Sequence, residues 1–292
     1  MTEAERETWA AAATADPTAA LKALAVVPDE ALDLPGIALC LAACERPRVG
    51  LARYADHLAD LGREVAAAHA AHLAAGEPDD AATRHRALAA VLIEAHGYVG
   101  DRLTYDDLQN ANLMRVIDRR KGLPVTLGIV WMAAAAGAGF GLAGVNFPGH
   151  FLLRLDLGAE RLVLDPFEAG VTRSTAELRQ LLKTTLRPDA ELELAHWQTV
   201  GPRDVALRLQ NNIKLRRLQT RDAAGALEII ERMLILAPTR PELLREAGLV
   251  ASHLDRVQDA IVWLERYVGV EPLAERRHRA ATLIQDLKRR LN

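Results

Sequence analysis

An imidazole and a carboxylate, two groups that cooperate in acyl-transfer chemistry, stand at His150 and Asp165 with a hairpin pattern between them. The apolar runs Phe151-Leu152-Leu153-Arg154-Leu155 and Arg161-Leu162-Val163-Leu164 flank Asp156-Leu157-Gly158-Ala159-Glu160, which reads as a loop containing glycine. With the loop centred near Gly158, facing strand positions sum to about 316, which sets His150 opposite Asp165 or Pro166. An imidazole beside a carboxylate on adjacent strands is the base–orienter pair of a catalytic triad. Upstream, Gly122-Leu123-Pro124 introduces an apolar helix predicted over Val125 to Ala138. Proline suits the first helical position because its missing N–H would be unpaired there anyway. A nucleophile in that first turn sits in the positive end of the helix dipole, where its pKa falls.

Other residues could carry chemistry and have simpler readings. His69 and His72 are three apart in an alanine-rich helix, with no cysteine or acid following at ligand spacing, so a solvated helix face is expected and no metal site. Asp101, Asp106 and Asp107 form an acidic loop that suits capping or turns. Arg119-Arg120-Lys121 stands beside the predicted helix start, where it could receive an anion or simply be solvated. Trp131, Trp197 and Trp263 read as core. No glycine-rich phosphate loop follows a strand, so no cofactor is indicated.

The elements that position these groups divide the chain. Its 292 residues are half apolar and 26% charged, enough for two packed domains and unlike a disordered, collagenous or disulfide-stapled chain. The start, MTEAERETWAAAATADP, has no basic region before an apolar stretch, so no signal peptide is read there, and the Gly/Ala-rich run Leu123–Leu142 reads as a buried helix and not a membrane span. Cys40 and Cys44, one helical turn apart, read as buried small side chains. These features point to a cytoplasmic protein without a membrane partner. Before about residue 138 the pattern is helical, as in Leu51, Tyr54, Ala55, Leu58 and Leu61, with Gly76–Asp80 as a polar break. All four phenylalanines, Phe140, Phe147, Phe151 and Phe167, cluster around the strand signals.

The last ninety or so residues, 201–292, carry 17 basic and 12 acidic groups, net +5, leaving −8 for residues 1–200. No aromatic-plus-basic stripe accompanies that charge, so nucleic-acid binding is not expected. Ala226, Glu231, Arg232 and Pro238 recur 34 positions later as Ala260, Glu265, Arg266 and Pro272, and Leu209 recurs as Leu243. That period, with small residues inside helices and proline at the repeat end, is the tetratricopeptide pattern. Helix pairs are predicted at Leu209–Arg221 with Ala223–Leu236 and at Glu242–Leu254 with Gln258–Val268, closed by a capping helix over Leu273–Leu291. Such an array serves as a docking surface or a brace.

Five blocks carry a resemblance to a known family: Gly97-Tyr98-Val99-Gly100-Asp101; Tyr105-Asp106-Asp107-Leu108-Gln109-Asn110; Arg119 through Leu127; Gly144-Val145-Asn146-Phe147-Pro148-Gly149-His150-Phe151-Leu152-Leu153-Arg154; and Asp165-Pro166-Phe167-Glu168-Ala169-Gly170. With the repeats, the chain resembles the SirB-type transglutaminase-like proteins with C-terminal tetratricopeptide repeats. It departs from them at Asp107-Leu108-Gln109-Asn110-Ala111, where the family tends to show Asp-Pro-x-Asn-Ser. The resemblance implies an α+β fold: a transglutaminase-like domain over residues 1–200, helical to 96 with a papain-like core and small antiparallel sheet over 97–200, then a repeat domain over 201–292.

In active members of that superfamily a cysteine at a helix N-terminus is paired with histidine and aspartate on following strands. His150 and Asp165 match the latter two, and the cysteine position falls at Thr126, within two residues. No cysteine lies beyond Cys44, so thiol acyl transfer at that site is excluded. The expected function is a catalytically silent protein that binds a protein or peptide partner through the repeat groove or the papain-like cleft. The alternatives are a hydrolase or acyl transferase using a Thr126-His150-Asp165 triad, and a structural adaptor acting only through its repeats. A Thr126→Cys variant is expected to give a reactive thiol.

Overall fold

A computed structural model describes residues 2–145 and 147–291; Asn146, within the block around His150, lies outside the described residues. The chain is α+β and forms two compact units, the first ending at Ala206 and the second beginning at Leu207. The first unit opens with α1 (Glu3–Ala15), α2 (Pro17–Ala25), α3 (Leu34–Cys44), α4 (Ala52–Ala74) and α5 (Ala81–Ala89), which runs on as a π-turn over Ala90–Ala95. Then come β1 (Val99–Gly100), α6 (Leu113–Arg119), β2 (Lys121–Gly122) and α7 (Pro124–Gly137). The remainder is β3 (Leu142–Val145), β4 (Leu152–Leu157), β5 (Glu160–Asp165), β6 (Val171–Thr172), α8 (Thr175–Thr185) and β7 (Thr199–Val200). Among the described residues no helix is long and apolar enough to cross a membrane.

The apolar helix α7 is buried on nearly every side because it lies between layers. Toward the helices it meets α4 at Gly62 and Gly137, so close that a Cβ added to either glycine would stand 2.7 Å from the other's Cα. Toward the sheet, Gly128 leaves room for the Phe151 ring, which a Cβ there would meet at 2.3 Å. The antiparallel sheet has the order β6-β5-β4-β3-β7, and β1 and β2 form a separate parallel pair. On the sheet face away from α7, Val145, Phe147, Leu152 and Val163 pack with Leu178 and Leu182 of α8.

The hairpin corrects the expected register. β4 and β5 run up to a two-residue turn, Gly158-Ala159, and the pairs Leu157↔Glu160 through Leu153↔Leu164 sum to 317. Gly158 has φ +58°, the left-handed value that the first position of a type II′ turn requires. Asp156 and Glu160 are therefore strand residues: Asp156 faces Arg161, and Glu160 accepts the Ala81 N–H at 2.8 Å. Asp165 is aligned with the Leu152 position, and His150 lies just before β4.

His69 and His72 are more than a solvated face, because acids do follow them. Their rings meet Asp79 at 3.1 Å and Glu77 at 2.7 Å, tying the Gly76–Asp80 loop to α4. Of Trp131, Trp197 and Trp263, only Trp131 is fully buried; Trp197 is half-buried, and so is Trp263, under the Arg266 guanidinium. Cys40 is buried and Cys44 partly so.

The second unit continues from α9 (Pro202–Gln219), which spans the boundary, through α10 (Ala223–Leu236), α11 (Pro241–His253), α12 (Val257–Val270) and α13 (Ala274–Leu291). α10 packs on α11, α11 on α12 and α12 on α13. Ala226 and Ala260 are fully buried, and Gly248 sits against Leu264, so the small residues of the 34-residue pattern lie at helix contacts.

Candidate functional site

The blocks singled out in the sequence converge in space. Gly100 makes room for Phe167, whose ring a Cβ there would meet at 2.6 Å, and the Gly100 N–H donates to the Phe167 carbonyl at 3.2 Å. Asp101, almost wholly buried, accepts from the Thr104 N–H at 3.0 Å, the Thr104 hydroxyl at 2.7 Å and Arg119 Nη2 at 2.7 Å. These donors, led by the Thr104 backbone, outweigh burial and hold its carboxyl well below the usual range. Asp107 caps the following turn through the Gln109 N–H at 2.8 Å. Arg119 is thus an internal strut. Arg120, at φ +60°, ends α6 and donates to the Tyr98 hydroxyl at 2.6 Å and His57 Nε2 at 2.8 Å. That leaves Lys121 as the exposed member of the basic triplet.

Thr126 is the third residue of α7, which begins with Pro124 as its first. Its side chain is 0% exposed, and its hydroxyl donates to the Asn110 carbonyl at 2.8 Å. The same carbonyl accepts the Leu123 N–H at 3.0 Å, so Asn110 satisfies two donors at the unfinished end of the helix.

His150 and Asp165 do meet. His150 Nε2 lies 3.1 Å from Asp165 Oδ2, with the imidazole 20% exposed and the carboxylate 1%. A turn with Gly149 at φ +66° delivers His150; a Cβ on that glycine would stand 2.0 Å from Thr185 Cγ2. The next residue, Phe151, is pinned between Gly128 and Gly144. Asp165 ends β5, and the turn after it closes with the Gly170 N–H donating to the Asp165 carbonyl at 2.8 Å. Gly170, at φ +72°, lies against Trp131, where any side chain would collide.

No motif or spacing pointed to Arg173. Its Nη2 and Nε donate to Asp165 Oδ2 at 2.7 Å and 3.2 Å, while Oδ1 accepts the Phe167 N–H at 3.1 Å and the Glu168 N–H at 3.3 Å. Burial alone would raise the Asp165 pKa, but the hydrogen bonds and charges of His150 and Arg173 reverse that and lower it. The carboxylate is therefore an acceptor only, which makes His150 Nε2 the donor. A fixed imidazole of this kind can orient a ligand or take part in proton transfer.

Residues 52–211 match the family described as the Transglutaminase-like superfamily, and residues 213–285 match the Tetratricopeptide repeat. A UPF0162 protein of Xylella fastidiosa is 32% identical over 255 residues, which is 85% of this chain and 88% of the relative. Protein SirB1 of Salmonella typhimurium is 27% identical over 173 residues, 59% of this chain and 64% of that protein. F-box only protein 21 of Homo sapiens is 37% identical over 78 residues, 27% of this chain and 13% of that protein. No solved structure matches the chain.

Proposed function

The chain belongs to the transglutaminase-like superfamily, and from that premise we infer that it is a binding protein whose papain-like site is catalytically silent. The observation that carries this reading is the Thr126 hydroxyl, which is fully buried and gives its proton to the Asn110 carbonyl. A hydroxyl with no exposed surface cannot be reached by an incoming acyl group, and one that donates to a carbonyl has no base to take its proton. The cysteines do not substitute for it. Both lie on α3, and burial, then Cys44 and Asp33, push the Cys40 thiol up to about 12, far from the thiolate that attacks.

Binding of a protein or peptide is assigned first to the repeats, since stacked helical repeats present extended concave surfaces to partners. The second unit holds a recess of about 520 Å³ lined by Arg245, Leu249, Tyr267, Glu271 and Arg276, with apolar and charged groups side by side. The low cysteine content, two residues one helical turn apart, supports a cytoplasmic location.

The retained His150–Asp165 pair favours the second reading, a hydrolase or acyl transferase using Thr126, His150 and Asp165. Hydrolysis of p-nitrophenyl acetate and of a glutamine-containing peptide separates the two. The silent reading expects no turnover above buffer in the natural protein. Turnover that disappears in both Thr126→Ala and His150→Ala would establish the enzyme.

A further inference from the structure

β5 is covered along only part of its outer edge. β6 pairs with it at Leu164 and Asp165, after which the chain turns away toward α8. One more backbone bond follows on that side, from the Arg173 N–H to the Val163 carbonyl at 2.8 Å. Asp165 and Val163 both direct their carbonyls outward, and backbone groups alternate along a strand. The N–H and C=O of Arg161 therefore face the same way, and among the described residues no strand pairs with them. An uncovered edge of this kind is a template for another strand.

Beside that edge lies a cavity of about 760 Å³ lined by Arg154, Arg161, Thr172, Arg173, Glu177 and Trp197. Three guanidinium groups and the Glu177 carboxylate line it, with Arg173 held by Asp165. Arg154 already holds Asp156 at 2.8 Å, so Arg161, 70% exposed and 3.7 Å from the same acid, is the least committed cation. Leu194, 86% exposed, stands at the rim. Side chains of a strand alternate between faces, so a segment laid along β5 would point every second residue at the arginines and the others over Leu162.

We propose that this recess takes an extended acidic segment of a partner protein, added to the sheet as a strand beside Arg161. Its backbone pairs with Arg161, its carboxylates meet the exposed Arg161 guanidinium, and its apolar residues cover Leu162. Main-chain bonds supply affinity and the alternating side chains supply selectivity. The site lies outside the His150–Asp165 pair and stands whether or not that pair is catalytic.

The test uses the full chain and a fluorescein-labelled heptapeptide of alternating glutamate and valine, followed by fluorescence anisotropy. Saturable binding is expected, weakened about tenfold by Arg161→Glu and by a smaller factor in Arg161→Ala. N-methylation of alternate peptide nitrogens should abolish it, because the strand bonds then cannot form. Thermal melts of both variants establish that they fold. The proposal is overturned by absence of binding, by unchanged binding in Arg161→Glu, by equal binding of the matched lysine–valine peptide, or by equal binding of the methylated one.

Discussion

Arg173 holds Oδ2 of Asp165 with two nitrogens, at 2.7 Å and 3.2 Å, while His150 reaches that same oxygen with one nitrogen at 3.1 Å. A triad carboxylate works by stabilising the imidazolium that forms as the histidine takes a proton. Here a permanent cation already lies against it, so the carboxylate has less to offer His150. The backbone N–H groups of Phe167 and Glu168 occupy its other oxygen. Asp165 therefore organises the end of β5 as much as it orients the imidazole.

Asp165→Ala should be strongly destabilising, because it strands the Arg173 guanidinium and two backbone donors beside a buried site. The expected loss is about 3–5 kcal/mol, the range for breaking a buried charge pair by removing one partner. Asp165→Asn keeps an acceptor for the backbone donors and should lose less. Urea unfolding of both variants measures the difference. A loss in Asp165→Ala no larger than that of an exposed ion pair, about 1 kcal/mol or less, would contradict the role given to Asp165.

Thr126 reverses an expectation drawn from its helix position. A cysteine in the first turn of α7 gains from the helix dipole, but Thr126 is 0% exposed. Thr126→Cys should therefore react with iodoacetamide slowly, no faster than the partly exposed Cys44. Thr126→Val removes the bond to Asn110 while Leu123 still donates to that carbonyl, so its expected loss is about 1 kcal/mol. Mass spectrometry of alkylated peptides and thermal melts read the two effects. Rapid alkylation at position 126 would reopen the enzyme reading.

The pattern of residues carried the fold well and the site in part. Helical spacing and the 34-residue repeat are local signals, and the helices around Ala226 and Ala260 stand where those signals put them. The hairpin register was off by one because Asp156 and Glu160, polar and beside glycine, look like loop residues. Only their partners, Arg161 and the Ala81 N–H, make them strand residues. The slip matters: a sum of 316 would turn His150 and Asp165 to opposite faces, whereas 317 puts Asp165 level with Leu152, on the face that His150 shares. Arg173 was illegible because its partner lies across a turn whose geometry rests on Ala169 at φ +53° and Gly170 at φ +72°.

His57 predicts the acid side of the stability profile. Its Nε2 accepts from Arg120, so the ring is neutral when folded; burial, then the Arg120 charge, depress its pKa from 6.5 to about 4. Unfolded, it binds a proton near 6.5, so the unfolded state takes up more protons between those two values. Stability from this group is thus fully present above pH 6.5 and is lost as pH falls toward 4. Asp165 and Asp101, both lowered, add losses of the same sign further down. The melting temperature should fall across that window, and His57→Gln should flatten the slope between pH 6.5 and 4. An equally steep slope in that variant would assign the acid sensitivity elsewhere.

The repeat assignment is tested at the crossing of α11 and α12. A Cβ on Gly248 would stand 2.6 Å from Leu264 Cγ and 3.4 Å from the Ala260 carbonyl, and Ala260 itself is 0% exposed. The helices approach this closely because both positions are small, and a larger side chain has no space to take. Ala260→Leu should therefore cost about 1–3 kcal/mol by overpacking, and Ala226→Leu, 34 residues earlier and equally buried, about the same. Val262, on the same helix but 45% exposed, supplies the contrast: Val262→Leu adds one methylene on the surface and should stay within about 0.5 kcal/mol. Thermal unfolding of the three variants ranks them. If Ala260→Leu melts with Val262→Leu, the small residue is not what sets the helix spacing, and the 34-residue recurrence of alanine has no packing role. If the two alanine variants fall together while Val262→Leu does not, the recurrence reflects one packing constraint imposed twice.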